Sequence, residues 1–278
     1  MLADVVERLA CPICGEPLLL EDKALRCARG HAFDIARQGY ANLLPGNARP
    51  GTADTPEMVG AREDFLATGH FAPMADALTE IVTTQPETGC VLDAGAGTGY
   101  YLSAVLKPLE HAVGIALDLS KYAARRAARA HPRIGAVVAD LWRPLPVRTD
   151  SVDAIVNVFA PRNAAEFQRV LRPGGLLITV TPSPRHLGPL VEALGLVTVD
   201  EQKNERVDST LGEHFTLESR RTLEYQATLD HTETEALVGM GPSAHHVPAD
   251  ELRRRLTALP APVTTPLSFV ISTFRSTP

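Results

Sequence analysis

The sequence predicts an α/β protein in which short buried strands alternate with helices, preceded by a small metal-binding unit. A strand, a glycine-rich turn and a helix start follow one another in residues 90–106. Further short apolar runs, each ending at a polar residue, recur between residues 112 and 180. This alternation is typical of a parallel sheet with crossover helices. Two Cys/His pairs near the N-terminus predict the metal-binding unit.

Composition favours a globular protein without a membrane partner. The 278 residues are 45% hydrophobic and 22% charged, which is enough apolar sequence for a substantial core. No apolar run approaches the roughly 20 residues of a membrane span, and the first residues lack a signal-peptide pattern. We therefore expect a cytoplasmic protein, in which four cysteines do not indicate a disulfide framework.

Charge is unevenly distributed along the chain. The formal net charge is −6, but residues 23–49 hold five basic side chains and one acidic side chain. A local basic face on an acidic protein can still hold phosphates, because screening makes nearby charges matter most. Most such runs are only solvated faces.

The N-terminal unit has the ligand spacing of a zinc site. Cys11 and Cys14 form one pair, and Cys27 and His31 form another after a spacer of twelve residues. Two pairs of soft ligands on two turns can close a tetrahedron around zinc, which would stabilise a unit too small for its own core. Residues 17–20 and 24–26 predict a hairpin between the pairs. The alternatives are that these three cysteines and one histidine lie close in sequence by accident, or that C-x-x-C is a redox motif. We expect the fourth cysteine, Cys90, to be a buried apolar residue.

The next segment links this unit to the sheet. Residues 33–50 predict a short helical turn and an irregular loop, and residues 55–67 and 73–83 predict helices. We expect a zinc-ribbon module at 1–35, a linker and helices at 36–85, and the α/β domain with the parallel sheet at 86–278.

The glycine-rich turn predicts a cofactor site. Val91 and Leu92 lead to Asp93, and glycines then alternate at positions 95, 97 and 99. Glycine allows a ligand to approach the backbone closely, and this spacing differs from the G-x-G-x-x-G dinucleotide pattern. The second strand ends at Asp118, placed to accept from ribose hydroxyls, and the third ends at Asp140, placed to accept from an adenine amino group.

Two later segments face the same crevice beyond the strand ends. The fourth strand, residues 151–159, leads into Asn157–Pro161, where Asn157 and Pro161 could position a planar base; an ordinary turn is the alternative. After residues 171–175, a helix end and turn, comes the fifth strand and then His186, which could be a general base or a cofactor contact, or neither. Strands at 220–229 and 263–274 and helices at 234–240 and 249–259 complete the prediction.

These motifs together resemble the class I S-adenosylmethionine (SAM) methyltransferases. The resemblance rests on D-x-G-x-G-x-G, an acid ending strands two and three, and L-R-P-G-G before strand five. It implies a Rossmann-like, seven-stranded sheet and SAM as cofactor; a nucleotide-binding fold without methyl transfer is the alternative. The cofactor-binding candidates are Asp93, Gly95, Gly97, Thr98, Gly99, Asp118 and Asp140.

The resemblance narrows when the N-terminal motifs are included. Cys-Pro-x-Cys, residues 29–34, residues 38–44 and the span from Arg62 to His70 resemble the bacterial 23S rRNA guanine-N1 methyltransferases. Residues 128–132, 157–163 and 240–243 resemble the branch that confers tylosin and mycinamicin resistance. The branch modifies nucleotide 748 in a domain II hairpin loop, and its sister branch modifies nucleotide 745.

The resemblance implies further properties of the chain. It implies that Cys11, Cys14, Cys27 and His31 hold zinc, that the zinc module helps to hold the RNA hairpin, and that two copies form a homodimer. It also implies SAM contacts at Gly97-Thr98, His186 and Phe71. The family commonly has Tyr at the last position, so only a packing role carries over to Phe71.

The resemblance therefore implies direct transfer of a methyl group from SAM to N1 of a guanine in 23S rRNA, with structural zinc and macrolide resistance. Neither a general base nor the choice between nucleotides 748 and 745 follows from the residues. Two alternatives stay open. One is methylation of a small molecule, such as an antibiotic intermediate, and the other is an RNA-binding protein with a vestigial SAM pocket.

Overall fold

The structure, a computed structural model, describes residues 1–46, 53–85, 87–198, 203–241 and 249–277. Within these ranges no helix combines the length and the apolar character needed to cross a bilayer.

A mixed sheet of eight strands forms the centre of the fold. Its strands lie in the order β10-β11-β9-β8-β5-β6-β7-β4; β11 is antiparallel to both its neighbours, and the other pairs are parallel. Seven of them, β5–β11, are the predicted seven-stranded sheet, and β4 adds an eighth at the edge. The strands are β4 (Tyr40–Asn42), β5 (Cys90–Ala94), β6 (Val113–Asp118), β7 (Ile134–Val138), β8 (Val152–Val158), β9 (Leu171–Pro182), β10 (Phe215–Leu229) and β11 (Val263–Ser276).

Helices cover both faces of this sheet, as the alternating pattern predicts. They are α1 (Leu2–Val5), α2 (Pro56–Ala67), α3 (Ala72–Thr83), α4 (Tyr100–Leu106), α5 (Lys121–Ala130), α6 (Ala164–Val170), α7 (Gly188–Leu194), α8 (Lys203–Leu211), α9 (His231–Gly239) and α10 (Ala249–Thr257). The predicted boundaries of α2 and α3 are confirmed to within a residue. Thr55 caps α2 by accepting a hydrogen bond from the Met58 backbone N–H at 3.3 Å, and Pro56 occupies its first turn.

The N-terminal module is a three-stranded antiparallel sheet of β1 (Leu18–Glu21), β2 (Ala24–Cys27) and β3 (Ala32–Asp34). The predicted hairpin is confirmed, and β3 is an additional strand. Leu9, Leu18 and Leu25 are buried in the same apolar cluster as Leu92 and Ile115 of the central sheet. The module and the sheet therefore share one core.

The short helical turn predicted in residues 33–50 is wrong. The described part of this segment forms the end of β3 and the whole of β4, joined by a bridge between Ile35 and Ala41. β4 pairs with β7 in parallel and buries Ala41. Pairing with the otherwise free edge of β7 therefore makes this segment a strand, although its own sequence does not predict one. Residues 47–50 of the predicted loop lie outside the described residues.

The turn predicted at residues 171–175, before the fifth strand, forms a bulge within β9. Val152 pairs with Leu171 and Ala154 pairs with Leu176, so residues 172–175 protrude between the two pairs. Gly174 takes a left-handed conformation there, with φ +71°.

Candidate functional site

A cavity of about 310 Å³ opens at the carboxyl ends of β5–β8. In an open α/β sheet this edge is where ligands bind. Seven residues predicted as site residues line the cavity: Phe71, Gly95, Gly97, Thr98, Asp118, Asp140 and Pro161. Four predicted residues do not line it: Asp93, Gly99, Asn157 and His186.

The glycine-rich turn forms the floor of the cavity. Gly95, Gly97 and Gly99 all have positive φ, at +89°, +52° and +79°. A Cβ on Gly95 would overlap the side chain of Ala160, so the turn requires glycine for close approach as well as for its backbone angle. The backbone N–H groups of Gly95 and Ala96 both donate to the Leu117 carbonyl at 2.9 Å, which anchors the turn to the end of β6.

Asp118 binds the glycine turn from the next strand. Its Oδ2 accepts from the Gly97 backbone N–H and its Oδ1 accepts from the Ser120 backbone N–H, both at 2.8 Å. The carboxylate is partly accessible from the cavity, yet burial raises its pKa, and the same two hydrogen bonds counteract that rise. Each oxygen retains a lone pair, which can accept from a ribose hydroxyl.

Asp140 lies at the neighbouring strand end, after β7. Its Oδ1 accepts from the Trp142 backbone N–H at 3.0 Å, and its Oδ2 lies 3.6 Å from Nε of Arg143. The Trp142 side chain lines the cavity and is 70% exposed. A carboxylate beside a flat aromatic surface is suited to a purine ring with an amino group.

Asp93 lies at the base of the site, inside β5. Its side chain is buried, and neither carboxylate oxygen has a hydrogen-bond partner among the described residues. Burial, with a smaller contribution from the charge of Asp118, raises the pKa of Asp93 to about 8. The Leu102 backbone N–H acts to lower the pKa, although it does not reach hydrogen-bond geometry. Asp93 is therefore mostly protonated at neutral pH.

Arg62 is a cavity residue that the sequence pattern does not single out as a site residue. It extends from α2 to the glycine turn, where a Cβ on Gly97 would lie 3.4 Å from its Cδ. Its guanidinium pairs with the carboxylate of Asp54 and donates to the Met240 carbonyl at 2.9 Å. The only signal in the sequence is its place in the span from Arg62 to His70, because the fold brings it to glycines more than thirty residues away.

Asn157 and Pro161 are adjacent, but only Pro161 lines the cavity. Asn157 is fully buried, and its Nδ2 donates to the carbonyls of Ala94 at 2.9 Å and Pro161 at 3.0 Å. Its amide therefore ties the turn after β8 to the end of β5. A base-positioning role for Asn157 would have to act through this turn, and the role stays a prediction.

His186 lies behind the aromatic wall of the cavity. Its Nδ1 accepts from the Ser268 backbone N–H at 3.2 Å, and its ring centroid is 4.8 Å from that of Phe269. Phe71 is buried and meets the Phe269 ring edge-on at 5.2 Å, which fits the packing role expected of it. A contact between His186 and a cofactor stays a prediction.

The cavity residues fit a nucleoside joined to an amino acid. Carboxylates end two neighbouring strands, where a ribose and an adenine would bind, and a cationic guanidinium lies over the glycine turn, where a carboxylate would bind. The buried, unpartnered Asp93 lies beneath the same turn.

The four predicted metal ligands form one cluster, with all ligand atoms within 4.8 Å of one another. Nδ1 of His31 lies 3.5 Å from Sγ of Cys11 and 3.4 Å from Sγ of Cys27, and Sγ of Cys14 lies 3.7 Å from Sγ of Cys27. Zinc bonds of about 2.3 Å to sulfur and about 2.0 Å to nitrogen place tetrahedral ligand atoms about 3.5–3.8 Å apart. The cluster therefore fits a closed zinc site with His31 binding through Nδ1.

The thiol of Cys27 is electrostatically prepared for a metal. Burial acts to raise its pKa, but hydrogen bonds from the backbone N–H groups of His31 and Arg29 and from the side chains of Cys14 and His31 together outweigh burial and lower the pKa to about 6. Because the thiolate is the metal-binding form, this favours zinc at neutral pH.

Two family models match the chain. The zinc-ribbon model described as "RlmA, N-terminal" matches residues 9–50, and the model described as "Methyltransferase domain" matches residues 91–175. Among solved structures, the methyltransferase in the Haloferax volcanii complex with the Trm112 methyltransferase activator has a TM-score of 0.54 at 17% identity, covering 84% of this chain and all of that one. A Bacillus halodurans methyltransferase has a TM-score of 0.52 at 14% identity, covering 73% of this chain and 98% of that one. These structures show the fold alone.

Full-length relatives define the family. The Streptomyces fradiae protein named 23S rRNA (guanine(748)-N(1))-methyltransferase is 45% identical over the whole of both chains. A Micromonospora griseorubida protein, whose name assigns it as a 23S rRNA (guanine-N(1)-)-methyltransferase, is 48% identical over 99% of both chains. The cofactor is SAM and the zinc site is structural. This chain belongs to the bacterial 23S rRNA (guanine-N1)-methyltransferase family.

Proposed function

We propose that this protein transfers a methyl group from SAM to N1 of the guanine at position 748, in a domain II hairpin loop of 23S rRNA. The position is that in the name of the Streptomyces fradiae relative, to which this chain is similar over its full length. The proposal rests on one observation: a chain that is similar to this relative over its full length has both a cavity suited to SAM and a zinc module. Modification at this loop would confer resistance to tylosin- and mycinamicin-type macrolides.

The cofactor contacts that we propose follow the geometry of the cavity. Asp118 accepts from the ribose hydroxyls and Asp140 accepts from the adenine amino group. The backbone of Gly95, Gly97 and Thr98 lies against the amino-acid part, and Arg62 binds its carboxylate, exchanging Asp54 for the ligand. Gly99 and Asp93 support the turn from below, and Phe71 and His186 back the wall beside the methyl group. Arg62 and seven of the other named residues line the cavity, which supports this arrangement.

The proposed reaction is a direct methyl transfer without a covalent enzyme intermediate, so it depends mainly on how the guanine is oriented relative to SAM. Bound SAM supplies a methyl group activated by the adjacent sulfonium. The chain's task is to hold guanine N1 in line with that methyl group at about 3–3.5 Å and to keep water out. We assign this task to the turn from Phe159 to Pro161, which lines the cavity and which Asn157 ties to β5. The base must be unpaired or extruded, which a hairpin loop permits.

The zinc module contributes RNA contacts in this proposal. Arg26 and Arg29 project from it with side chains 51% and 65% exposed, and their ion pairs with Glu21 and Glu16 are surface pairs that a phosphate can replace. We also propose a homodimer that works in the cytoplasm. Support for an interface comes from Ile13 and Leu19 of the module, which are apolar and about 60% exposed.

A synthetic domain II hairpin tests the proposal. Incubation with the protein and SAM should add one methyl group, located at N1 of a single guanine by mass spectrometry of nuclease fragments. The matched control is the same hairpin synthesised with N1-methylguanosine at position 748, which should accept no methyl group. Methylation of the control, or of neither RNA, would contradict the proposal.

Salt dependence separates RNA from a small-molecule substrate. Phosphate contacts release counterions, so the Kd for the hairpin should rise steeply and log-linearly with salt, by about tenfold or more between 50 and 200 mM. A small uncharged substrate, such as an antibiotic intermediate, would show no such slope. A flat salt dependence together with intact SAM binding would favour the small-molecule enzyme.

A further inference from the structure

Phe159 combines an unfavourable backbone with an exposed aromatic side chain at the cavity. It follows the last residue of β8, and its φ is +54°, in the left-handed region. Its side chain lines the cavity and is 44% exposed. A bulky residue in this conformation is a genuine outlier, and such outliers concentrate at functional sites. Stability alone would favour glycine or asparagine here.

Buried rings hold Phe159 from one side. Its ring centroid lies 5.7 Å from that of Phe269 and 6.5 Å from that of Phe71, and those two rings meet edge-on. Its backbone N–H donates to the Val180 carbonyl at 3.1 Å, which fixes the turn to β9. The ring is therefore supported from within while nearly half of its surface stays open to a ligand.

Phe159 lies close to the glycine turn, away from the strand ends that carry Asp118 and Asp140. The next residue, Ala160, contacts the glycine turn at Gly95 so closely that no Cβ fits there. Asp118 and Asp140 lie at the ends of other strands, where the nucleoside part of the cofactor would bind. Phe159 therefore lies next to the residue that contacts the glycine turn, and its exposed ring forms part of the cavity wall.

We propose that Phe159 stacks on the extruded target guanine and holds its N1 edge toward the methyl group. This inference rests on the proposed function, because it assigns a residue to the guanine of that reaction. Aromatic side chains bind extruded bases through the π-face, and a supported ring loses little freedom when it does so. The left-handed backbone is what directs the ring into the cavity at a strand end.

Two variants and one control test this assignment. Phe159→Gly suits the backbone angle and removes the ring, so the protein should fold at least as well but lose about 10- to 100-fold in kcat/KM for the hairpin. Phe159→Tyr keeps the ring and should stay within about threefold of the wild type. Asp150→Gly is the control, because Asp150 has φ +53° in an exposed turn away from the cavity, and it should leave methylation unchanged.

Two further readouts distinguish stacking from a structural role. The Kd for SAM should be the same in all variants. With 2-aminopurine at the target position, fluorescence of the complex should be higher for Phe159→Gly than for the wild type, because an extruded base without a stacking partner is not quenched. Wild-type kcat/KM in Phe159→Gly, or a loss matched by weaker SAM binding, would overturn the stacking role. A wild-type protein that leaves the hairpin unmethylated would instead overturn the proposed function, and the stacking role with it.

Discussion

At the residue scale, we assign Asp118 two functions that a single carboxylate can combine. It accepts two backbone hydrogen bonds that hold the glycine turn against β6, and it faces the cavity where a ribose would bind. The turn has the left-handed angles that glycine tolerates, so its shape depends on this anchor. Cofactor affinity should therefore be more sensitive to Asp118 than the fold is.

Replacing Asp118 with Ala should raise the Kd for SAM by about 10- to 100-fold or more, since hydrogen bonds to a charged group contribute about 1.5–3 kcal/mol. Zinc content should stay at the wild-type level. Isothermal titration calorimetry and metal analysis measure the two quantities. Asp64→Ala, at an exposed position on α2, is the control. Unchanged SAM affinity in Asp118→Ala would remove Asp118 from the cofactor site.

Asp93 makes the stability of the cofactor-free protein depend on pH. Burial raises its pKa to about 8 in the folded chain, against 3.8 for an unperturbed Asp. Between these values the folded state retains a proton that the unfolded state has lost, so the free energy of unfolding should fall as pH rises from about 4 to about 8.

Asp93→Asn imitates the protonated carboxyl and should remove this slope. The stability of the variant relative to the wild type should grow by up to about 1.4 kcal/mol per pH unit across that window and then level off. Urea unfolding of the cofactor-free proteins at several pH values measures the difference. Parallel stability curves would show that Asp93 is ionised in the fold.

Asn157 shows where residue-level prediction from sequence stops. Its position at the end of β8 follows from the strand pattern, but its side chain is turned to the carbonyls of Ala94 and Pro161 rather than lining the cavity. Those carbonyls belong to a neighbouring strand and a turn, so their distance from Asn157 depends on sheet order. The place of Arg62 in the cavity cannot be predicted from sequence for the same reason, because α2 brings it to the glycine turn only in the folded chain.

At the element scale, the zinc module packs against the central sheet, while its metal ligands lie apart from the cavity. Cys11 and Cys27 belong to the same apolar cluster as Leu92 of β5, so the metal ligands extend from the shared core. Loss of the metal would leave thiols and an imidazole without their common partner and would release β1–β3. The cavity lies at the carboxyl end of β5–β8 and does not include any of the four ligands.

Cys27→Ser should lose zinc and hydrogen-exchange protection in β1–β3, while β5–β9 stay protected. The affinity for the hairpin RNA should fall by at least about tenfold, because the basic side chains of the module no longer form one surface when the module unfolds. The Kd for SAM should change by less than about threefold. Cys90→Ala is the control, since Cys90 is buried in β5 and lies outside the ligand cluster; it should retain zinc. Full zinc content in Cys27→Ser would contradict the assignment.

The sequence predicts elements well where a local pattern and burial agree. The strands β5–β9 and the helices α2 and α3 have apolar periodicity, caps or glycine turns that mark their limits. β3 and β4 have three residues each, too few to show a period, and are strands because β2 and the free edge of β7 pair with them. Short edge strands of this kind depend on the neighbour more than on their own residues.

At the scale of the whole molecule, the chain joins a zinc module to a methyltransferase domain that has a cavity at its strand ends. Residues 200–251 hold twelve acidic and four basic side chains, whereas residues 23–49 hold five basic side chains and one acidic side chain. This separation allows a protein of net charge −6 to bind RNA through one face. The family relationship covers both parts together, which supports one function for the entire chain.

Primer extension across domain II of 23S rRNA tests the central claim most directly. Unmodified 23S rRNA is incubated with the full-length protein and SAM, and a methyl group at N1 then blocks Watson–Crick pairing and stops reverse transcriptase. The account predicts one new stop, adjacent to guanine 748, that is absent when SAM is omitted. No stop in that hairpin, from protein that still binds SAM and contains zinc, would contradict it.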